Sequence, residues 1–306
     1  GGAAVALGSV ILLVIGEFAG LSHTGLAPRE LQLIAWIAVL VCLGLGLVED
    51  LHNNSLTPRF RLLVEFVVFA VLVAVMPSLI PTDLGVWGLD ALISLPVIGW
   101  LLTIIFCVGF INAVNMADGA NGLMPGILTI SFGLFYAETG AYSYACLMTS
   151  CGLFTIFNVI SGRLFLGDAG AYGLGAALCI SGLFLYSQGD LSASFLAVLL
   201  AYPCIDMLVS LSRRAVQGRS LFLPDNDHLH NRIHFQLQKR FRSPTLANSL
   251  TGGSIVMASS GIALMGYQMG LLAVTSQLWS LVFACQCLVY GLIFYLTGLG
   301  RSVSQH

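Results

Sequence analysis

Ten runs of roughly eighteen or more mostly apolar residues fill this chain, at about 2–20, 31–48, 60–80, 94–112, 120–137, 142–160, 170–188, 191–211, 250–272 and 277–297. Each is long enough to cross the hydrocarbon core of a bilayer as a helix. Backbone placed in hydrocarbon must satisfy its own hydrogen bonds, so only helices or closed barrels can span it. Barrel strands alternate in polarity residue by residue, and these continuous runs do not. Of 306 residues 58% are hydrophobic and 8% charged, whereas a soluble domain averages about 25% charged. The fold class expected is all-α: a polytopic transmembrane bundle of about ten helices.

The chain opens on Gly1-Gly2 without a Met, a basic flank or a small-residue cleavage site. Upstream sequence is expected to be missing on that ground. No internal repeat or linker divides the sequence, so residues 1–306 read as one integral-membrane domain whose largest loop is 212–249. No Gly- or Pro-broken pair of matching helices points to an inverted-repeat transporter. All eight cysteines fall inside apolar runs and none forms a Cys-x-x-Cys pair. They read as small buried hydrophobes, not as a disulfide or zinc framework.

Alternating the ten spans places eleven of the twelve Lys and Arg residues on one side and Arg29 alone on the other. Basic residues in short loops mark the cytoplasm. The same face collects four polar islands, and each has a bland reading beside a functional one.

Glu49 and Asp50 end a span, where the helix dipole and mutual repulsion disfavour two carboxylates. A divalent cation would relieve both effects; a solvated helix end is the alternative. In NAVNMADGANGL, residues 112–123, Asn112, Asn115 and Asp118 recur every three residues and share a helix face. Amides beside a carboxylate suit an oxygen-rich Mg²⁺ or pyrophosphate site, although Asp118 or Asn121 could instead cap the next helix. In FLGDAGAYGLG, residues 165–175, Asp168 sits between Gly167 and Gly170 at a helix start. That is either a phosphate–metal pocket or a plain N-cap. PDNDHLHNRIH, residues 224–234, offers His228, His230 and Arg232 for phosphate or nucleotide contacts. A zinc site or a merely solvated loop are the other readings there. Together the islands look like a Mg²⁺-dependent phosphoryl-transfer site at the cytoplasmic interface.

In order and spacing these motifs resemble the polyprenyl-phosphate N-acetylhexosamine-1-phosphate transferase superfamily, also called glycosyltransferase family 4. Its acidic pair is matched by Glu49-Asp50, its N-A-x-N-[ML]-x-D-G-x-D-G-L motif over 112–123, its G-D-x-G motif around Asp168, and its D-x-x-H-[LI]-H-H loop from Asp225 to Asn231. Three positions depart from the pattern. Glu49 stands for Asp, Asn121 for the second Asp of D-G-x-D-G, and Asn231 for the last His.

The resemblance implies transfer of a sugar-1-phosphate, N-acetylhexosamine-1-phosphate, from a UDP-sugar to polyprenyl (undecaprenyl) phosphate with release of UMP. This is the initiating membrane step of cell-envelope glycans such as O-antigen lipopolysaccharide. The site would face the cytoplasm from the inner (plasma) membrane, and the upstream sequence would hold one further helix. Its partners would be the UDP-sugar, the lipid phosphate and the bilayer, with no nucleic acid, and a homodimer is compatible. The cofactor implied is Mg²⁺, with Mn²⁺ able to replace it. Asp168, helped by Asn115, would hold the metal. Glu49, Asp50, Asp118 and His228 would serve catalysis, and Asn112, Asn115, Asn121, His230 and Arg232 would bind substrate. Two rivals are a transporter or flippase, for which Glu17, Glu65 and Asp206 are the acids nearest mid-bilayer, and a lipid-phosphate binding protein without catalysis. A CDP-alcohol phosphatidyltransferase would need a second D-x-x-x-D array after Asp118, which is absent.

Overall fold

The computed structural model describes residues 1–18, 29–52, 55–86, 88–218, 220 and 226–299. Arg219, Pro224, Asp225 and Arg301, and the side chains of Glu17 and Arg29, lie outside the described residues. Among the described residues there are fourteen α-helices and no strand. In chain order they are α1 (Gly2–Phe18), α2 (Arg29–Leu51), α3 (Pro58–Val75), α4 (Leu89–Ile93), α5 (Pro96–Ala117), α6 (Leu123–Thr139) and α7 (Tyr142–Ser161). There follow α8 (Gly167–Gln188), α9 (Ala193–Leu199), α10 (Ala201–Val216), α11 (Leu229–Gln238), α12 (Pro244–Ala258), α13 (Ser260–Gln268) and α14 (Trp279–Leu299).

Among the described residues each apolar run is mostly helix. Five single helices, α2, α5, α7, α8 and α14, are long and apolar enough to cross a membrane, and the bent pairs α9–α10 and α12–α13 raise the count to seven. The other three runs are filled by α1 and α6, each 17 residues, and by α3, which carries Arg59, Arg61 and Glu65. Five of the cysteines are buried, but Cys285 is exposed on α14 and Cys204 and Cys287 are partly so.

The central helix is α8, packed by α1, α2 and α5. Small residues explain how the three neighbours come so close. A β-carbon on Gly46 of α2 would fall 2.2 Å from the Asp168 carbonyl oxygen, and one on Gly173 would fall 2.7 Å from Leu43 Cβ. On the other side Gly2 backs directly onto Gly170. Where lipid tails are as apolar as the side chains, close backbone approach of this kind is what holds helices together.

Two spans are broken, which the apolar pattern did not indicate. The α9–α10 pair bends by 80° and the α12–α13 pair by 49°. Pro203 in the first turn of α10 has no N–H to donate to Leu199. Backbone groups freed by such breaks need new partners in hydrocarbon, and here the two breaks supply each other. The Ser260 hydroxyl donates to the Leu199 carbonyl (2.7 Å), and the Tyr202 N–H donates to Ser259 Oγ (3.2 Å). Gln286 of α14 adds its amide Nε2, within 3.4 Å of the carbonyls of Val198, Ala258 and Ser259. The breaks are therefore stitched to each other inside the protein.

Candidate active site

The site is organised around the start of α8. Leu166, which precedes that helix, offers no capping side chain, so the first amides need partners from elsewhere. Two other helices provide them. The Gly167 N–H donates to Asp118 Oδ2 (3.1 Å), the Asp168 N–H to Asp50 Oδ1 (2.9 Å) and the Ala169 N–H to Asp50 Oδ2 (3.0 Å). Gly167 adopts φ +77°, and a β-carbon there would meet Asp50 Oδ2 at 2.9 Å. Asp50 and Asp118 thus clamp the helix end, and the anion-binding amides of this N-terminus are already filled by protein carboxylates. Asp168 is not an N-cap; it stands in the first turn with its side chain turned to the partly open space between α2 and α3.

Around that space gather further acids. Arg61 of α3 places NH1 3.3 Å from Asp168 Oδ2 and 3.8 Å from Glu49 Oε1. Glu49 also accepts from the Leu56 N–H at 3.2 Å. Asn115 touches Asp168 and donates to the Tyr172 hydroxyl at 3.2 Å. Asp168 feels the negative charges of Asp50 and Glu49, and Asp118 feels that of Asp168. Burial drives the Asp118 carboxyl up to about 7, against the opposing pull of the Gly167 and Leu166 amides.

The histidine segment completes the site from the far end of the chain. His230 Nε2 lies against Gly119, where a β-carbon would approach it to 2.2 Å. Its Nδ1 is 2.8 Å from the Tyr202 hydroxyl. Burial holds this imidazole neutral, down to about 4. His228 stacks on His230 with ring centroids 5.4 Å apart and planes at 2°. Its Nδ1 is 2.6 Å from Asp206 Oδ2 on α10.

The depressed His230 value has a signed consequence. An imidazole whose folded value lies below its usual 6.5 contributes stability that is present above about 6.5 and lost as pH falls towards 4. Hydrogen exchange of peptides from α11, corrected for intrinsic rates, is expected to lose protection over that interval. In His230→Gln the same peptides are expected to show no such pH step.

The structure brings together Glu49, Asp50, Asn115, Asp118, Asp168, His228 and His230. It turns three other candidates elsewhere. Asn112 donates to Glu65 Oε2 (2.6 Å) and to the Val108 carbonyl (2.8 Å), below the site in the bundle. Asn121 is buried between α6 and α12, donating to Ser249 Oγ (3.3 Å) and facing Asn248. Arg232 forks onto Asp227 (2.8 and 2.7 Å), donates to the Phe294 carbonyl and lies 3.5 Å over the Phe294 ring. Of the acids considered for an ion path, Glu65 is held by Asn112 and Asp206 by His228, Leu229 and Tyr290.

Residues that sequence reasoning passed over include Arg61, Tyr172, Asn158 and Tyr290, and Asp206 was considered only as an acid for an ion path. Asn158 latches two loops, accepting from the Gly122 N–H and donating to the Leu164 carbonyl. A polar side chain inside an apolar run was the available signal for Asn158 and Asp206, but Gly122, His228 and Tyr290, which they meet, lie tens of residues away.

The donor set is chemically suited to Mg²⁺: hard carboxylate and amide oxygens, with no thiol among them. Several mutually repelling carboxylates meet one guanidinium, so the cluster has room for more positive charge. Among the described residues no three His, Cys, Asp or Glu groups are arranged to hold an ion by themselves.

A sequence model described as glycosyl transferase family 4 matches residues 32–186. That segment contains the first three islands; the histidine segment lies beyond it. The chain is 32% identical over 240 residues to the undecaprenyl-phosphate alpha-N-acetylglucosaminyl 1-phosphate transferase of Salmonella typhi, covering 72% of this chain and 64% of that protein. It is 23% identical over 236 residues to a probable undecaprenyl-phosphate N-acetylglucosaminyl 1-phosphate transferase of Bacillus subtilis (strain 168), covering 73% and 64% respectively. With the phospho-N-acetylmuramoyl-pentapeptide-transferase of Lactiplantibacillus plantarum it shares 28% over 244 residues, 72% of this chain and 73% of the relative. The match thus spans just under two thirds of the first two relatives' length.

Proposed function

The chain belongs to glycosyl transferase family 4, and from that premise we propose that it transfers an N-acetylhexosamine-1-phosphate from a UDP-sugar to a polyprenyl phosphate. The reaction takes place at the cytoplasmic side of the inner membrane and starts a cell-envelope glycan. The observation that carries this reading is the meeting of all four polar islands, from α2, α5, α8 and α11, at one end of the bundle.

In the reaction a phosphate oxygen of the lipid attacks the β-phosphorus of the UDP-sugar. The bond from that phosphorus to the α–β bridging oxygen breaks, and UMP leaves with that oxygen. No protein nucleophile is needed, because a phosphate monoester has its second pKa near about 6 and is largely dianionic at neutral pH. What the protein must supply is alignment and charge compensation between two anions. Arg61 supplies one fixed positive charge. Asp168, with Asn115 beside it, would hold Mg²⁺, which when bound would neutralise the diphosphate. Asp118 and Asp50 fix the α8 turn that carries Asp168. Glu49 orients Arg61, and His228 and His230, buried beside Gly119, would contact the donor diphosphate. Mn²⁺ has the same oxygen preference and would substitute.

The test is release of UMP from UDP-N-acetylglucosamine by the purified protein in lipid nanodiscs containing undecaprenyl phosphate. Release is expected to require both the lipid and Mg²⁺, and to stop on addition of chelator. No release from a panel of UDP-sugars, or release indifferent to the lipid, would overturn the reading.

A further inference from the structure

We propose that Asp206 assigns the positive charge of the stacked histidine pair to His228 and fixes that ring so that its Nε2–H faces an anionic donor group. Asp206 is then a positioning residue acting through His228, and the proposal rests on the reading above for the identity of that donor.

Two imidazoles stacked face to face at 5.4 Å repel when both are protonated, and in a site of low effective dielectric that repulsion is strong. One proton must therefore be placed on one ring or the other. The surroundings differ sharply. His228 Nδ1 lies 2.6 Å from the Asp206 carboxylate, whereas His230 Nδ1 meets the Tyr202 hydroxyl at 2.8 Å. An anionic partner at contact favours the cationic ring, and a phenol does not.

Asp206 is well held for the task. It is 2% exposed, so water does not compete for it. Its Oδ1 accepts from the Tyr290 hydroxyl (2.6 Å) and the Leu229 N–H (3.0 Å), which leaves Oδ2 for His228. A buried carboxylate without a cationic partner would be costly, which gives the pairing its physical reason. The Leu229 bond also fixes the chain beside His228, so ring and backbone are set by one side chain.

The other charged and titratable groups around the pair leave this assignment standing. On α10, besides Asp206, are Tyr202, Cys204, Arg213 and the buried Arg214; on α14 are Cys285, Cys287, Tyr290 and Tyr295; α12 has no titratable side chain. Arg213 of α10 and, in the histidine segment, Arg232 are both ion-paired to Asp227. His234 follows on α11, and Asp118 lies beyond Gly119 on the side of His230.

The experiment compares wild type, Asp206→Asn and Asp206→Glu in nanodiscs by two readouts. The first is pH-dependent exchange of the histidine C2 hydrogen, read residue by residue by mass spectrometry, which reports protonation whatever the activity. His228 is expected to titrate at higher pH than His230 in wild type. In Asp206→Asn its midpoint is expected to fall by about one pH unit or more, with most of that recovered in Asp206→Glu. The second readout is UMP release. Asp206→Asn is expected to raise the KM for the UDP-sugar about tenfold, to leave the KM for the lipid phosphate unchanged, and to move the alkaline limb of the pH profile downward with the His228 midpoint. Equal His228 midpoints in wild type and Asp206→Asn would overturn the charge assignment. A parallel rise in both KM values with an unmoved pH profile would reduce Asp206 to a structural residue. Should wild type release no UMP at all, the transferase reading falls, and the exchange readout still decides the assignment.

Discussion

Replacing Asp168 by Asn is expected to reduce UMP release by about 10²–10³-fold or more, the scale on which loss of one fixed charge-stabilising group acts in a preorganised site. The protein should nonetheless fold and insert. The clamp on α8 uses the backbone amides of Gly167, Asp168 and Ala169, none of which the substitution removes. Arg61 keeps Glu49 at 3.8 Å as an alternative partner. Turnover should be measured with radiolabelled UDP-sugar, beside thermal unfolding of the same preparation. Near wild-type turnover would remove Asp168 from the metal-holding role, and a collapsed unfolding temperature would mark it as structural.

Gly46→Val is expected to produce a loss of similar kind without touching any charge. A β-carbon at residue 46 would lie 2.2 Å from the Asp168 carbonyl oxygen and 2.6 Å from the Ala169 nitrogen. Those are backbone atoms of the central helix and cannot swing aside, so α2 and α8 must part. Overpacking of this sort costs typically about 1–3 kcal/mol. Parting the helices also pulls Asp50 from the amides it holds and displaces Asp168. A misplacement of about 1 Å at a reacting centre costs on the order of 10²-fold in rate. Gly44→Val serves as the control, since a β-carbon there meets nothing within 4 Å. Equal activity of the two variants would contradict the close packing of α2 on α8.

Much of this arrangement was legible in the amino-acid sequence, for reasons that can be stated residue by residue. Apolar runs report burial in lipid directly, so the helical class and the position of each run needed no partner information. Asp168 and Asp118 stood out because a carboxylate between apolar runs is rare without a task. The bends at Leu200 and Ser259 were not legible. A proline in the first turn of a helix is ordinary, and Pro203 becomes a break only because Ser259, Ser260 and Gln286 wait across the bundle. Asn112 and Asn121 illustrate the converse limit. Their spacing put them beside functional residues along the chain, but side-chain direction was decided by Glu65 in one case and by Asn248 and Ser249 in the other. Asp206 was visible as an unusual acid; that it belonged to a histidine more than twenty positions later was not.

The shared bonding of the two bends ties α10, which holds the histidine segment through Tyr202 and Asp206, to α12, α13 and α14. Neither bent helix can straighten alone, because the donors that one surrenders are those the other depends on. Rotation of α14 about its axis would withdraw both Gln286 from the bends and Tyr290 from Asp206. One helix, most of whose surface faces outward, therefore holds the two bends through Gln286 and the Asp206–His228 pair through Tyr290 at once.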